Sequence, residues 1–181
     1  MSLPQKKGYT VADIYNLPDG ERAELIDGQI YDMTPPPMRV HQKIVIELSV
    51  IISNYIKENG GSCEVYPAPF AVFLNRDDKT YVEPDISVIC DKDKLSDRGC
   101  EGAPDWIIEV VSPSSKRMDC FIKLFKYRSA GVREYWIVNP DERKILVYGF
   151  ENEDYMEYTF SDSVKSGIYD DLEIDFSQLN L

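Results

Sequence analysis

The sequence predicts a single α/β domain, an α+β arrangement on a mixed central sheet with an N-terminal β-hairpin. Three observations carry this. Ile86-Ser87-Val88-Ile89 and Trp106 to Val111 are β-branched runs of the kind found in central strands. Val40 to Glu58 repeats its apolar residues at helical spacing. Asp27-Gly28, set between two apolar runs, is a strong hairpin signal. With 181 residues, no internal repeat and no linker, residues 1–181 make one domain with a proper core.

In order along the chain, Thr10 is placed to cap a short helix over Val11 to Asn16, which Pro18 ends. Arg22 to Ile26 and Gln29 to Met33 form the hairpin, and Pro35-Pro36-Pro37 is a stiff connector. His41, Val45, Leu48, Ile52 and Tyr55 share one broad face of the long helix, which Asn59-Gly60-Gly61 terminates. Cys63 to Tyr66 and Phe70 to Leu74 flank Pro67-Ala68-Pro69 and read as one kinked edge strand. Val82 to Cys90 and Trp106 to Val111 are two acid-bearing strands, joined by a charged loop from Asp91 to Asp105. Ser112 and Pro113 start a helix from about Lys116 to Ala130, and Gly131 suits its stop. Arg133 to Val138, Lys144 to Phe150 and Tyr155 to Phe160 follow as strands.

Composition excludes several classes. A hydrophobic content of 43%, with Tyr 12, Phe 7 and Trp 2, is that of a folded chain. No apolar run approaches the ~20 residues of a membrane span. Met1 to Tyr9 has lysines without an apolar stretch behind them, so it is no secretory signal, and the cytoplasm is the default location. Cys63, Cys90, Cys100 and Cys120 are scattered without C-x-x-C spacing, which argues against zinc. Cys63 and Cys90 read as small buried hydrophobes rather than disulfide partners.

The net charge of −12 is unfavourable for a protein that coats nucleic acid. Its distribution is uneven. Lys116, Arg117, Lys123, Lys126, Arg128 and Arg133 oppose Asp119 alone, whereas Glu151 to Asp175 is an acidic tail. On charge alone the basic run is a solvated helix face.

Asp85 and Glu109 sit inside the two apolar strands, where an ionised side chain is costly unless paired or bound to a metal. Alternation puts Asp85, Ser87 and Ile89 on one face, and Ile107, Glu109 and Val111 on one face of the later strand. On neighbouring strands the two carboxylates meet, and a hard cation such as Mg²⁺ or Mn²⁺ relieves their repulsion. That metal would activate a water against a phosphate ester. Lys123, spaced i, i+4 from Asp119 and on a face with Lys116 and Tyr127, can supply a positive charge beside them. Glu24 is equally a third acid or a solvent-facing strand residue. His41, the only histidine, is by type more often a hydrogen-bonded core residue than a catalyst. Ser112 lacks a G-x-S-x-G elbow and reads as a cap.

Glu24-Leu25-Ile26-Asp27-Gly28, His41, Glu83-Pro84-Asp85, Gly102-Ala103-Pro104-Asp105, Glu109 to Ser114, Asp119 with Lys123, and Gly131 to Trp136 occur in that order. Together they resemble the Uma-two family of restriction endonucleases, within the PD-(D/E)XK nuclease superfamily, across nearly the whole chain. The resemblance implies a restriction-endonuclease-like core, with a mixed sheet flanked by helices. It implies Asp85, Glu109 and the Val110 carbonyl as ligands of Mg²⁺ or Mn²⁺, Glu24 as an accessory acid, and a site role for His41. The D/E-x-K lysine position holds Val111 here, which makes Lys123 on the next helix its replacement.

The leading expectation is therefore a metal-dependent DNA endonuclease, with Asp85, Glu109, Lys123, Glu24 and His41 at the site. Lys116, Arg117 and Lys126 would guide the nucleic acid, and a homodimer with no membrane attachment is expected. The alternative is a nuclease-fold binding or regulatory module with weak or no catalysis, which the net charge of −12 favours. A small-molecule phosphohydrolase ranks third, because neither a P-loop nor a Rossmann glycine motif is present.

Overall fold

The frame is a six-stranded sheet, and the positions of its strands follow from where β-branched residues concentrate. A computed structural model describes residues 8–33, 38–112 and 118–181, the side chains of 118 and 119 excepted. The strands of this sheet are β3 (Glu64–Pro67), β5 (Ile86–Ile89), β8 (Trp106–Val110), β9 (Glu134–Asn139), β10 (Lys144–Gly149) and β11 (Asp154–Thr159). Their spatial order is β11-β10-β9-β8-β5-β3. Only β8 and β9 run parallel, which makes the sheet mixed as the sequence predicts.

The neighbouring strands β5 and β8 are buried along their whole length because both faces are covered. One face packs under α2 (Arg39–Glu58), which buries Ile44, Val45, Leu48, Ile52 and Ile56. Each of those side chains contributes about 2 kcal/mol by burial. The other face packs under α3 (Leu124–Ala130), where Tyr127 meets Tyr135 edge-on at 4.9 Å. A π-helical segment, Met118–Lys123, leads into α3. Gly131 ends that helix with φ of 95°, a backbone conformation that costs glycine little. No described helix is long and apolar enough to cross a membrane.

The N-terminal part matches its local signals. Asp13 accepts hydrogen bonds from the N–H and hydroxyl of Thr10 at 2.7 and 3.0 Å, at the start of α1 (Val11–Tyr15). The hairpin of β1 (Ala23–Ile26) and β2 (Gln29–Asp32) turns on Asp27 and Gly28, both at positive φ. The Pro35-Pro36-Pro37 step lies outside the described residues.

Four expectations are corrected. The stretch read as one kinked strand belongs to two sheets. β3 is an edge of the main sheet, while β4 (Val72–Phe73) joins a small sheet after the turn at Pro67-Ala68-Pro69. The long strand from Val82 shortens to β5, because Pro84 has no N–H for a ladder. The charged loop supplies the remaining strands of the small sheet, β6 (Leu95–Ser96) and β7 (Gly99–Glu101). There Gly99 lies against the backbone of Ala71, so closely that a Cβ would sit 2.2 Å from its carbonyl oxygen. Finally, Cys63 and Cys90 form a disulfide; they occupy the register pair that follows Glu64 and Ile89 between β3 and β5.

The acidic tail also folds. β12 (Ser163–Lys165) and β13 (Glu173–Asp175) pair, and a 3₁₀ turn, Phe176–Gln178, follows. Phe160, Val164, Leu172, Ile174 and Phe176 join the core on the α2 side of the sheet. Charge patterning hid these alternating apolar residues. A buried carboxylate fixes the segment: Glu134 accepts the Trp136 indole N–H at 2.5 Å and the Gly167 N–H at 2.5 Å.

Burial pushes the Glu134 carboxyl up to about 7, against the opposing pull of those donors. The folded protein therefore keeps a proton that an unfolded glutamate releases in the ordinary carboxylate range. Its contribution to stability is complete below that range and is lost as pH rises through about 7. Over that window the slope reaches about 1.4 kcal/mol per pH unit. Glu134→Gln should flatten the decline in stability between pH 5 and 8, as read from urea midpoints of variant and wild type.

Candidate metal and phosphate site

The acids come together where two strands part. Ile86 pairs with Ile108 in the last β5–β8 register pair, so Asp85 and Glu109 stand opposite each other just beyond it. Side chains take over from the ladder at this point. The Asp85 carboxylate accepts the Val110 N–H at 2.8 Å, and the Glu109 carboxylate accepts the Asp85 N–H at 3.3 Å. Each acid is thus held by the other strand's backbone.

Glu109 is only 4% exposed, and charge is supplied to it from the helix side. Its Oε1 accepts hydrogen bonds from Lys123 Nζ at 2.9 Å and from the Tyr127 hydroxyl at 2.8 Å. Lys123 Nζ also lies 3.0 Å from Glu24 Oε2. Lys123 and Glu24 are each 5% exposed, so one ammonium lies between two buried carboxylates. The reading of Glu24 as a solvent-facing residue is therefore overturned. All four residues of β1 are buried, and Glu24 Oε1 accepts the Glu83 N–H at 2.9 Å.

His41 closes the other side. Its Nε2 lies 3.1 Å from Asp85 Oδ2, while Nδ1 is buried with no hydrogen-bond partner among the described residues. The first turn of α2 thus delivers an imidazole to the carboxylate at the start of β5.

Sequence reasoning gave no site role to an outer ring of groups. Glu83 Oε2 pairs with the Arg22 guanidinium, and Glu83 Oε1 accepts the Tyr81 hydroxyl at 2.6 Å. Burial, then the bond to Glu83, raises the Tyr81 phenol and keeps it a donor. Tyr127 is the other addition. The local signals were present: Arg22 and Glu24, like Tyr81 and Glu83, are spaced i, i+2, and Lys123 and Tyr127 are spaced i, i+4.

The basic run is less available than its sequence suggests. Lys116 and Arg117 lie outside the described residues, as does the side chain of Asp119. Lys126 pairs with Asp27, Arg128 with Glu153, and Arg133 with Asp105 and Glu151.

The donor set suits a hard cation that keeps part of its water shell. No cluster of three or more His, Cys, Asp or Glu side chains with metal-site geometry occurs among the described residues. Two opposed carboxylates are nevertheless enough for Mg²⁺, which usually takes one or two from protein. Among the described residues, Glu24, Glu83, Asp85 and Glu109 gather beside Lys123 and Arg22, so acids outnumber bases in the cluster.

Removing the central ammonium should be costly. Lys123→Met should lower unfolding free energy by about 3 kcal/mol, because two buried carboxylates lose their counter-charge. Adding Glu24→Gln should recover part of that loss in a double-mutant cycle measured by urea denaturation.

Comparison with known proteins agrees with this architecture. A crystal structure titled as "a putative nuclease belonging to DUF820", from Anabaena variabilis, superposes with a TM-score of 0.75 and 21% identity. The match covers 94% of this chain and 96% of that one, and it establishes the shared fold. "Uncharacterized protein slr1290" of Synechocystis is 29% identical over 129 residues, or 71% of this chain. The chain spans 66% of that relative's length. The family model described as "Uma2: Putative restriction endonuclease" matches residues 11–179, nearly the whole fold described above. The chain belongs to the Uma2 family.

Proposed function

We propose that the chain is a metal-dependent endonuclease that hydrolyses phosphodiester bonds in DNA, within the PD-(D/E)XK superfamily. The observation that carries this reading is the pairing of Asp85 and Glu109 across the parted ends of β5 and β8, with Lys123 on Glu109. Family membership supports a nuclease, and the hard-oxygen donors support Mg²⁺ or Mn²⁺.

In this reading Asp85, Glu109 and the Val110 carbonyl hold the cation. When bound, it would polarise the phosphate and lower the pKa of a bound water. Lys123 supplies the fixed positive charge that the missing D/E-x-K lysine would give, and it offsets charge developing on the phosphate oxygens. Glu24 sets the position of Lys123 through their contact of 3.0 Å. His41 orients the Asp85 carboxylate from the opposite side. Lys116, Arg117 and Lys126 would guide the DNA backbone.

A second reading has its own observation. The described cations of the basic run already have acid partners, and the net charge is −12. Both reduce long-range attraction for a polyanion, which favours a binding or regulatory module on the nuclease fold. A homodimer in the cytoplasm is part of the first reading, with β11 at one edge of the sheet. Sedimentation velocity should give a dimer mass at micromolar concentration.

Supercoiled plasmid and single-stranded oligonucleotides with Mg²⁺ or Mn²⁺ test the catalytic reading. Wild type should nick, and Asp85→Ala and Glu109→Ala should each reduce the rate at least about 100-fold. Equal cutting by the variants would remove the proposed centre. Absence of cutting in the wild type, with partner capture independent of metal, would favour the second reading.

A further inference from the structure

Lys123 is not the only group that the helix brings to Glu109. The π-helical segment ends at Lys123 and α3 begins at Leu124, so Lys123 and Tyr127 stand one turn apart on the same side of the helix. Both donate to one atom, Glu109 Oε1, at 2.9 and 2.8 Å. The other carboxylate oxygen, Oε2, is the one turned toward Asp85 and bound by its N–H. The two donors therefore set the carboxylate's rotation as well as its charge. A lone ammonium on four rotatable bonds would fix that rotation poorly. The Tyr127 phenol is far more constrained: its ring has no exposed surface and packs edge-on against Tyr135.

We propose that Tyr127 is a positioning residue for the metal centre, holding Glu109 Oε1 on the helix side so that Oε2 faces Asp85. This rests on the reading of Asp85 and Glu109 as metal ligands. Tyr127 touches neither the cation nor the phosphate; it acts through Glu109. Outer groups that orient a ligating carboxylate typically govern metal affinity by about 10- to 100-fold. Here the phenol also divides the labour at Oε1. Lys123 divides its ammonium between Glu24 and Glu109, and the tyrosine adds a rigid second donor that holds Glu109 Oε1 in place.

Isothermal titration of Mn²⁺ into the intact protein, without nucleic acid, tests this apart from catalysis. Tyr127→Phe removes one oxygen and keeps the ring, and it should weaken Mn²⁺ about tenfold. Asp85→Ala should abolish binding. Val132→Ala, a cavity in the same core as Tyr127, should lower the melting temperature while leaving Mn²⁺ affinity at the wild-type value. Circular dichroism of each variant establishes that it is folded. Wild-type affinity in Tyr127→Phe, with binding lost in Asp85→Ala, would overturn the role of Tyr127 alone. Equal affinity in wild type and Asp85→Ala, or no Mn²⁺ binding by the wild type, would overturn the metal centre and this inference with it. A parallel loss of affinity in Val132→Ala would reduce Tyr127 to a core residue.

Discussion

An ammonium held between two buried carboxylates is the interaction on which the rest of the site depends. Glu24, Glu109 and Lys123 are each about 95% withdrawn from solvent, where unpaired charges would cost several kcal/mol apiece. They come from the hairpin, from the central strand β8 and from the helix after it. No two of these elements are neighbours in the chain except the last pair. The triad therefore ties hairpin, sheet and helix together, and geometry that satisfies one charge constrains all three elements.

The second constraint is the parting of β5 from β8. A regular ladder would continue past Ile86 and Ile108, but Pro84 lacks the N–H it requires. The freed donors at Asp85 and Val110 are taken by carboxylates instead. The strands thus end in a pair of carboxylates, with hydrogen bonds that fix where the oxygens point. Proline, often read only as a strand breaker, here ends the ladder where the two carboxylates meet.

Charge balance shapes what the surface can do. The run from Lys116 to Arg133 looks like a nucleic-acid track when read linearly. Folding sends Lys123 inward and gives Lys126, Arg128 and Arg133 partners from the hairpin and from the segments around β10 and β11. Binding of a polyanion would have to compete with these pairs. Since exposed pairs are worth about 0–1 kcal/mol, that competition is energetically modest.

The sequence alone determined the order of the main sheet strands and helices, the hairpin turn and the strand that carries Glu109. Those properties depend on short-range signals: β-branched runs, Asp-Gly, and apolar spacing along α2. Tertiary structure decided the rest. Whether Glu24 faces water depends on what covers β1, and its own run of four residues carries no trace of that cover. Cys63 meets Cys90 through the register of β3 on β5, although the two are 27 positions apart in the chain. Glu134 fastens a tail whose acidic composition concealed its apolar alternation. Local patterns fix which face a side chain takes within its own element. The partner across that face is set only when distant elements pack, and at this site the partners, more than the residues, decide the chemistry.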